Sequence, residues 1–198
     1  MSGAWGDVGC FSAHPLKNLN AMGDSGYLTT NNKELYHKVK SLRSHGMEES
    51  RDNIKNFGHV SRMDNIQAAI LNFRLKNLKK TIIARRKNLD IYLKHLDKKK
   101  IYFKKENLNE FNTYHTFVIQ VERRDELKEF LKQKGIGTAI HYPVPIHLQR
   151  ASKELGYGKN DFPETELQAK KILTLPINQF LKKKDIIYIS NLINSFYK

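Results

Sequence analysis

The residues best suited to chemistry lie in one short segment, Phe11-Ser12-Ala13-His14-Pro15-Leu16-Lys17-Asn18-Leu19. A hydroxyl, an imidazole and a primary amine fall between Ser12 and Lys17, flanked by glycine-rich stretches. A partly buried lysine sheds its charge readily and forms a Schiff base with an aldehyde. Ser12 would then hold a phosphate. The plainer reading is a polar loop with a surface lysine. A second segment, His141-Tyr142-Pro143-Val144-Pro145-Ile146-His147, offers two imidazoles. Zinc-type sites draw on Cys, His and carboxylates together. No cysteine or carboxylate stands near this pair in sequence, so no metal is expected. Cys10 is the single cysteine, which excludes an internal disulfide and points to a reducing compartment.

Elements must hold these groups in place. Gly3, Gly6, Gly9, Gly23 and Gly26 punctuate two short apolar pieces, residues 8–11 and 27–30, which read as strands between tight turns. Asn31-Asn32 closes the second, and residues 33–44 read as a helix with Leu35, Val39 and Leu42 on one face. After a loop, Asp64 starts another helix, with Gln67 placed as in a capping box. Apolar residues recur at Ile66, Ile70, Phe73, Leu78, Ile82, Leu89, Leu93 and Leu96, with no Pro or Gly between Asn65 and Lys100. This predicts one helix of about 30 residues, long for a globular protein, joining two domains. The boundary is expected between residues 1–75 and 76–198.

The remainder reads as a compact α+β unit. Residues 114–121 alternate as a strand, with His115, Phe117, Ile119 and Val121 on one side. Residues 125–134 form a helix on Leu127, Phe130 and Leu131, stopped by Gly135. A short strand is expected over 137–140 and an extended loop over 141–147, where two prolines fix the backbone. Helices follow at 162–173 and 185–196. The opening strands lack partners for a large sheet, and unpaired edges are a liability. The sequence therefore reads as part of a larger protein whose N-terminal portion lies upstream.

Composition agrees with a folded chain. Hydrophobic residues make up 39% and charged residues 28%, and Phe 10 with Tyr 9 excludes a chain too polar to collapse. The length, 198 residues, allows one or two domains. No apolar run approaches the ~20 residues of a membrane span. The opening residues lack the basic start and apolar stretch of a signal peptide, so the chain reads as cytoplasmic. The net charge of +15 comes mostly from lysines, in scattered runs such as Lys98-Lys99-Lys100 and Lys182-Lys183-Lys184. A solvated lysine-rich surface is the plain reading. Attraction of an anionic substrate is the functional one. Nucleic-acid binding favours arginine and a clustered basic face, and has the least support.

The run Gly6-Asp7-Val8-Gly9-Cys10-Phe11-Ser12-Ala13-His14-Pro15-Leu16-Lys17-Asn18-Leu19, followed by Gly23-Asp24-Ser25-Gly26, resembles the active-site segment of the DegT/DnrJ/EryC1/StrS family. Other segments match in order. They are Leu42-Arg43-Ser44-His45-Gly46, Ser61-Arg62-Met63-Asp64-Asn65-Ile66-Gln67-Ala68-Ala69, Tyr114-His115, the 141–147 stretch, and Leu173-Thr174-Leu175-Pro176-Ile177. The resemblance runs the whole chain. It implies the C-terminal part of a fold-type I aminotransferase of the α/β class. That part comprises the remainder of a large cofactor-binding domain, a long linking helix and a small α+β domain.

By this resemblance the cofactor is pyridoxal phosphate, Lys17 the Schiff-base lysine and Ser12 the contact to its phosphate. Arg62 lies in a segment that reaches the neighbouring subunit's cofactor site, which implies a homodimer. His141, Tyr142 and His147 match a loop near the sugar-nucleotide site. His14 receives no step. The implied reaction moves an amino group from an amino acid such as glutamate to a nucleotide-linked keto-sugar, of the kind used for polysaccharides or natural products. No membrane or nucleic-acid partner is implied. Val60 stands where many members carry Asn two residues before the arginine, which removes a phosphate donor across the dimer. Ala13 replaces a common Phe, expected to be a harmless packing change. The acidic partner of the pyridine nitrogen, a Gly-Thr turn and a stacking aromatic belong to the family's upstream half and do not occur in this chain. Two alternatives stand beside the enzyme: a non-catalytic sugar-nucleotide-binding or regulatory homologue, and a basic nucleic-acid-binding module.

Overall fold

A computed structural model describes residues 2–198. Its architecture is α/β, and the chain divides into two compact units, Met1–Lys79 and Lys80–Lys198.

In the first unit, β1 (Gly9–Ser12) and β2 (Gly26–Thr29) pair antiparallel, Cys10 opposite Leu28 and Phe11 opposite Tyr27. The Phe11 and Tyr27 rings stack at 5.0 Å. Residues 13–25 join the strands and carry Lys17. Helix α1 (Lys33–Leu42) starts where Asn32 Oδ1 accepts from the amides of Glu34 (2.9 Å) and Leu35 (3.1 Å). That side chain satisfies two of the donors a helix start leaves open. Leu35, Val39 and Leu42 form its half-buried face.

The single long helix is not formed. Helix α2 (Asn65–Leu75) ends in a turn at Lys76-Asn77, where the Asn77 amide donates to Arg74 O (3.0 Å), and α3 (Leu78–His95) follows. The interval from Phe73 to Leu78 is five residues, which places the two on different helix faces; Phe73 is 69% exposed. Nor does a capping box form at Asp64. Its side chain makes no cap bond, and Gln67 Oε1 accepts instead from the Met22 amide (2.8 Å).

The second unit is built on an antiparallel sheet of order β3 (Ile101–Tyr102), β4 (Phe117–Val121), β5 (Ile172–Leu175). Along β4, Phe117, Ile119 and Val121 are buried, as their alternation requires. The strand starts at Phe117, opposite Leu175, and Tyr114 sits at φ 45, outside extended geometry. Helix α4 (Arg124–Gln133) buries Leu127 and Leu131 fully, and Gly135 follows it at φ 77, a helix-ending conformation that glycine adopts freely. Two short 3-10 helices, Ile146–Leu148 and Arg150–Leu155, precede α5 (Pro163–Lys171). The expected helix over 162–173 is cut short at Lys171. Ile172-Leu173-Thr174-Leu175 pairs with β4 instead, Leu173 opposite Ile119, so sheet packing overrides the helical pattern. Residues 137–140 form only the bridge Ala139 to Thr174. Helix α6 (Lys183–Phe196) buries Ile186, Ile189 and Ile193. Tyr92 of α3 is fully buried and donates to Pro176 O (2.9 Å). No described helix is long and apolar enough to cross a membrane.

Candidate active-site residues

The segment 12–25 folds on itself. The Ala13 amide donates to Ser25 O (2.7 Å), the Ala21 amide to Ala13 O (2.8 Å), and the Lys17 amide to His14 O (2.9 Å). Asn20 Nδ2 donates to Pro15 O (2.7 Å), spanning Lys17. Ala13 and Ala21 are buried with Leu71 of α2, and Leu19 and Met63 pack against them. The small side chain at Ala13 is thus the centre of this cluster. Two residues of α2 grip the loop. Arg74 Nη1 donates to Asn20 O (2.8 Å) and Ala21 O (3.3 Å), and Gln67 holds Met22.

Lys17 is half-buried, and its ammonium makes no hydrogen bond or ion pair among the described residues. Ser12 is exposed, and its Oγ accepts from the His14 amide (3.3 Å). His14 Nδ1 accepts from the Leu16 amide (3.2 Å), so the neutral ring carries its hydrogen on Nε2, 3.7 Å from Asp24 Oδ1. Arg62 is exposed in the extended stretch before α2, with no bonded partner among the described residues. Val60 forms a bridge to Ser44.

The remaining candidates belong to the second unit. His141 Nδ1 lies 2.9 Å from Thr174 Oγ1, and its ring meets the Tyr142 ring edge-on at 5.4 Å. Tyr142 is 73% exposed. His147 has partners of its own. It is buried, its Nε2 is 3.1 Å from Glu166 Oε1, and its ring packs on Phe162 at 4.8 Å. The His147 ring beside it holds the Glu166 carboxyl below its usual range, aided by the Asn160 amide. Among the described residues no group of three or more His, Cys, Asp or Glu is placed to hold a metal ion. A separate cavity of about 380 Å³ is lined in part by Arg86, Leu89, Glu106, Tyr114 and Phe117.

The profile of the DegT/DnrJ/EryC1/StrS aminotransferase family matches residues 1–194. The chain belongs to this family. Its relatives include the "Pleiotropic regulatory protein" of Geobacillus stearothermophilus, 36% identical over 99% of this chain and 53% of that protein. A UDP-N-acetyl-3-dehydro-alpha-D-glucosamine 3-aminotransferase of Acidithiobacillus ferrooxidans is 34% identical over 96% of this chain and 51% of its own length. The crystal structure of Streptomyces venezuelae DesV in complex with a ketimine intermediate superposes with a TM-score of 0.92 at 32% identity, covering 99% of this chain and 53% of DesV. The fold is accordingly that of part of a fold-type I aminotransferase of the DegT family. The chain spans about half the length of the curated relatives it matches.

The DegT family implies pyridoxal phosphate, and the residues present fit it. A lysine without a bonded partner and an exposed hydroxyl share one loop, and the buried Ser25 Oγ of that loop lacks a hydrogen-bond partner among the described residues. An amine for an aldehyde and hydroxyls for a phosphate are the donor types that cofactor needs. Residues that the sequence did not single out are Asn20, Arg74 and Glu166. Asn20 closes a turn onto Pro15 five residues back, and Arg74 and Glu166 act across fold contacts. Gln67 carried a local signal, which pointed to a cap.

Proposed function

We propose that this chain is the lysine-bearing portion of an aminotransferase that moves an amino group from an amino acid such as glutamate to a nucleotide-linked keto-sugar. The observation that carries the proposal is the Lys17 loop: an unpaired amine and an exposed hydroxyl on a segment tied to α2, in a chain of this family. Lys17 Nζ is the attachment point of pyridoxal phosphate and carries the proton that must leave the substrate carbon. Ser12 Oγ holds the phosphate, and Arg62 serves the cofactor site of a second subunit in a homodimer. The loop of His141, Tyr142 and His147 meets the sugar nucleotide, with His147 anchored on Glu166 and Tyr142 open to solvent. When bound, the cofactor supplies an electron sink.

The test is a titration with pyridoxal phosphate, followed by absorbance and gel filtration, on the chain and on Lys17→Ala. The wild type retains a protein-bound absorbance band and the variant does not. Equal retention by both would remove Lys17 from this role. A regulatory reading is favoured by one observation, the name of the Geobacillus relative at 36% identity. It predicts that sugar nucleotides bind equally well to Lys17→Ala and wild type, with no cofactor held by either.

A further inference from the structure

We propose that Arg74 is a positioning residue for Lys17. The inference rests on the reading of Lys17 given above and deepens it.

The turn that carries Lys17 is closed by two bonds. One is internal, from the Lys17 amide to His14 O (2.9 Å). The other runs from Asn20 Nδ2 to Pro15 O (2.7 Å) and brackets Lys17 from both sides along the chain. Asn20 is therefore the residue that fixes the width of the turn. Its own backbone carbonyl is in turn held by Arg74 Nη1 (2.8 Å), which also reaches Ala21 O (3.3 Å). One guanidinium nitrogen carries two hydrogens, so a single group can satisfy two neighbouring carbonyls. Ala21 is 1% exposed, and a carbonyl left without a donor beside a buried residue is costly. The route from α2 to the amine is continuous: Arg74 to Asn20, and Asn20 across the turn to Pro15, two residues before Lys17.

The same arginine clamp occurs elsewhere in this chain. Arg85 Nη1 reaches Tyr114 O (3.2 Å) and His115 O (3.1 Å), and Arg124 Nη1 reaches Ala169 O (3.2 Å) and Ile172 O (3.0 Å). Those clamps hold parts of the second unit's framework. The Arg74 clamp falls on the turn of the reactive amine. Both bonds come from a single nitrogen, so a lysine ammonium, with three donors on a flexible stem, can take up the same two carbonyls, whereas a glutamine amide is shorter and uncharged. Arg74→Lys should therefore recover most of the positioning, and Arg74→Gln little of it. A displacement of about 1 Å at a reacting group costs on the order of a hundredfold in rate.

The experiment compares the full chain with Arg74→Ala, Arg74→Lys and Arg74→Gln, and with Leu71→Ala, which loosens the same cluster without touching the clamp. Two readouts are taken: hydrogen exchange over residues 13–22, and the yield of borohydride-fixed pyridoxal phosphate on Lys17 by peptide mapping. Thermal melting is recorded for all. Arg74→Ala is expected to speed exchange over 13–22 about tenfold and to lower the Lys17 yield about fivefold. Arg74→Lys should return both to within about twofold of wild type. At equal loss of melting temperature, Leu71→Ala should leave the Lys17 yield higher than Arg74→Ala does. Should Arg74→Ala not fold, the Lys and Gln variants carry the same comparison. Unchanged exchange and yield in Arg74→Ala would overturn the proposal, as would a Leu71→Ala variant that loses both equally. If wild type takes no label at Lys17, the functional reading falls, and the exchange comparison alone decides whether Arg74 fixes the turn.

Discussion

Arginine and lysine divide the basic roles of this chain. Arg74, Arg85, Arg86 and Arg124 each donate to backbone carbonyls, a use suited to a planar fork of donors. The lysine runs lie largely exposed. Arg86 also grips Glu106 through two hydrogen bonds, at 2.9 and 2.7 Å, and the Asn112 amide donates to the same carboxylate. Those bonds, Arg86 first, pull the Glu106 carboxyl from an ordinary 4.5 to about 2. A carboxylate depressed by folding stabilises the fold above its unfolded value and loses that contribution as pH falls through its folded value. Glu106→Gln should therefore cost about 1–3 kcal/mol near neutral pH, the range for charge-assisted bonds. The difference from wild type, read as urea midpoints, should shrink below pH 4.5 and vanish near pH 2. A constant difference across that window would mean that the carboxylate's charge is not what stabilises. Legibility at this scale followed chain distance. Ser12, His14 and Lys17 are readable because their types cluster in sequence. The partners that fix them are not, since Arg74 meets Asn20 across 54 residues.

At the scale of elements, the periodic signals located the helices and misjudged their ends. The apolar repeat marks both α2 and α3, and the helix breaks at its one five-residue step, from Phe73 to Leu78. Residues 172–175 look helical when extended from α5 and become a strand because β4 offers them partners. Gln67 fits a capping box in sequence, yet Met22 competes for it once the loop is folded. The loop between α1 and α2 shows how tightly such connections are built. Gly46 has φ 78, and a Cβ there would meet Asn56 O at 1.6 Å. Both the backbone conformation and the close approach require glycine. Gly46→Ala should displace the 44–60 loop and destabilise the first unit by about 2 kcal/mol or more, since strain and overpacking add. Faster hydrogen exchange at the His59 and Ser61 amides, which bond to Leu42 O and Arg43 O, checks it. Unchanged exchange there would show that the loop absorbs the extra carbon.

At the scale of the molecule, the two units differ in how much they bury. The second encloses one continuous core running from Leu89 and Tyr92 through Ile119 to Ile193. Among the described residues the first closes around Ala13, Ala21 and Leu71, with Leu19 and Met63 packed against them, and leaves Trp5 (92%), Ile66 (68%) and Phe73 (69%) open to solvent. Among its described residues the sheet has two strands, fewer than independent stability usually needs. The 198-residue chain alone should therefore show no transamination with glutamate and a panel of keto-sugar nucleotides. The family resemblance puts the pyridine's acidic partner, the stacking aromatic and the Gly-Thr turn outside these residues, and such orientation and electrostatics supply several kcal/mol of barrier lowering. Robust turnover would mean that residues of this chain replace those groups. A narrower prediction is that Lys17 is the lysine which takes the cofactor. Borohydride reduction of the chain with pyridoxal phosphate, followed by peptide mapping, tests it most directly. The fixed label is expected on Lys17, and is expected to be lost in Lys17→Ala with no comparable gain elsewhere. Label spread over surface lysines such as Lys98-Lys99-Lys100, or concentrated on another single lysine, would contradict it.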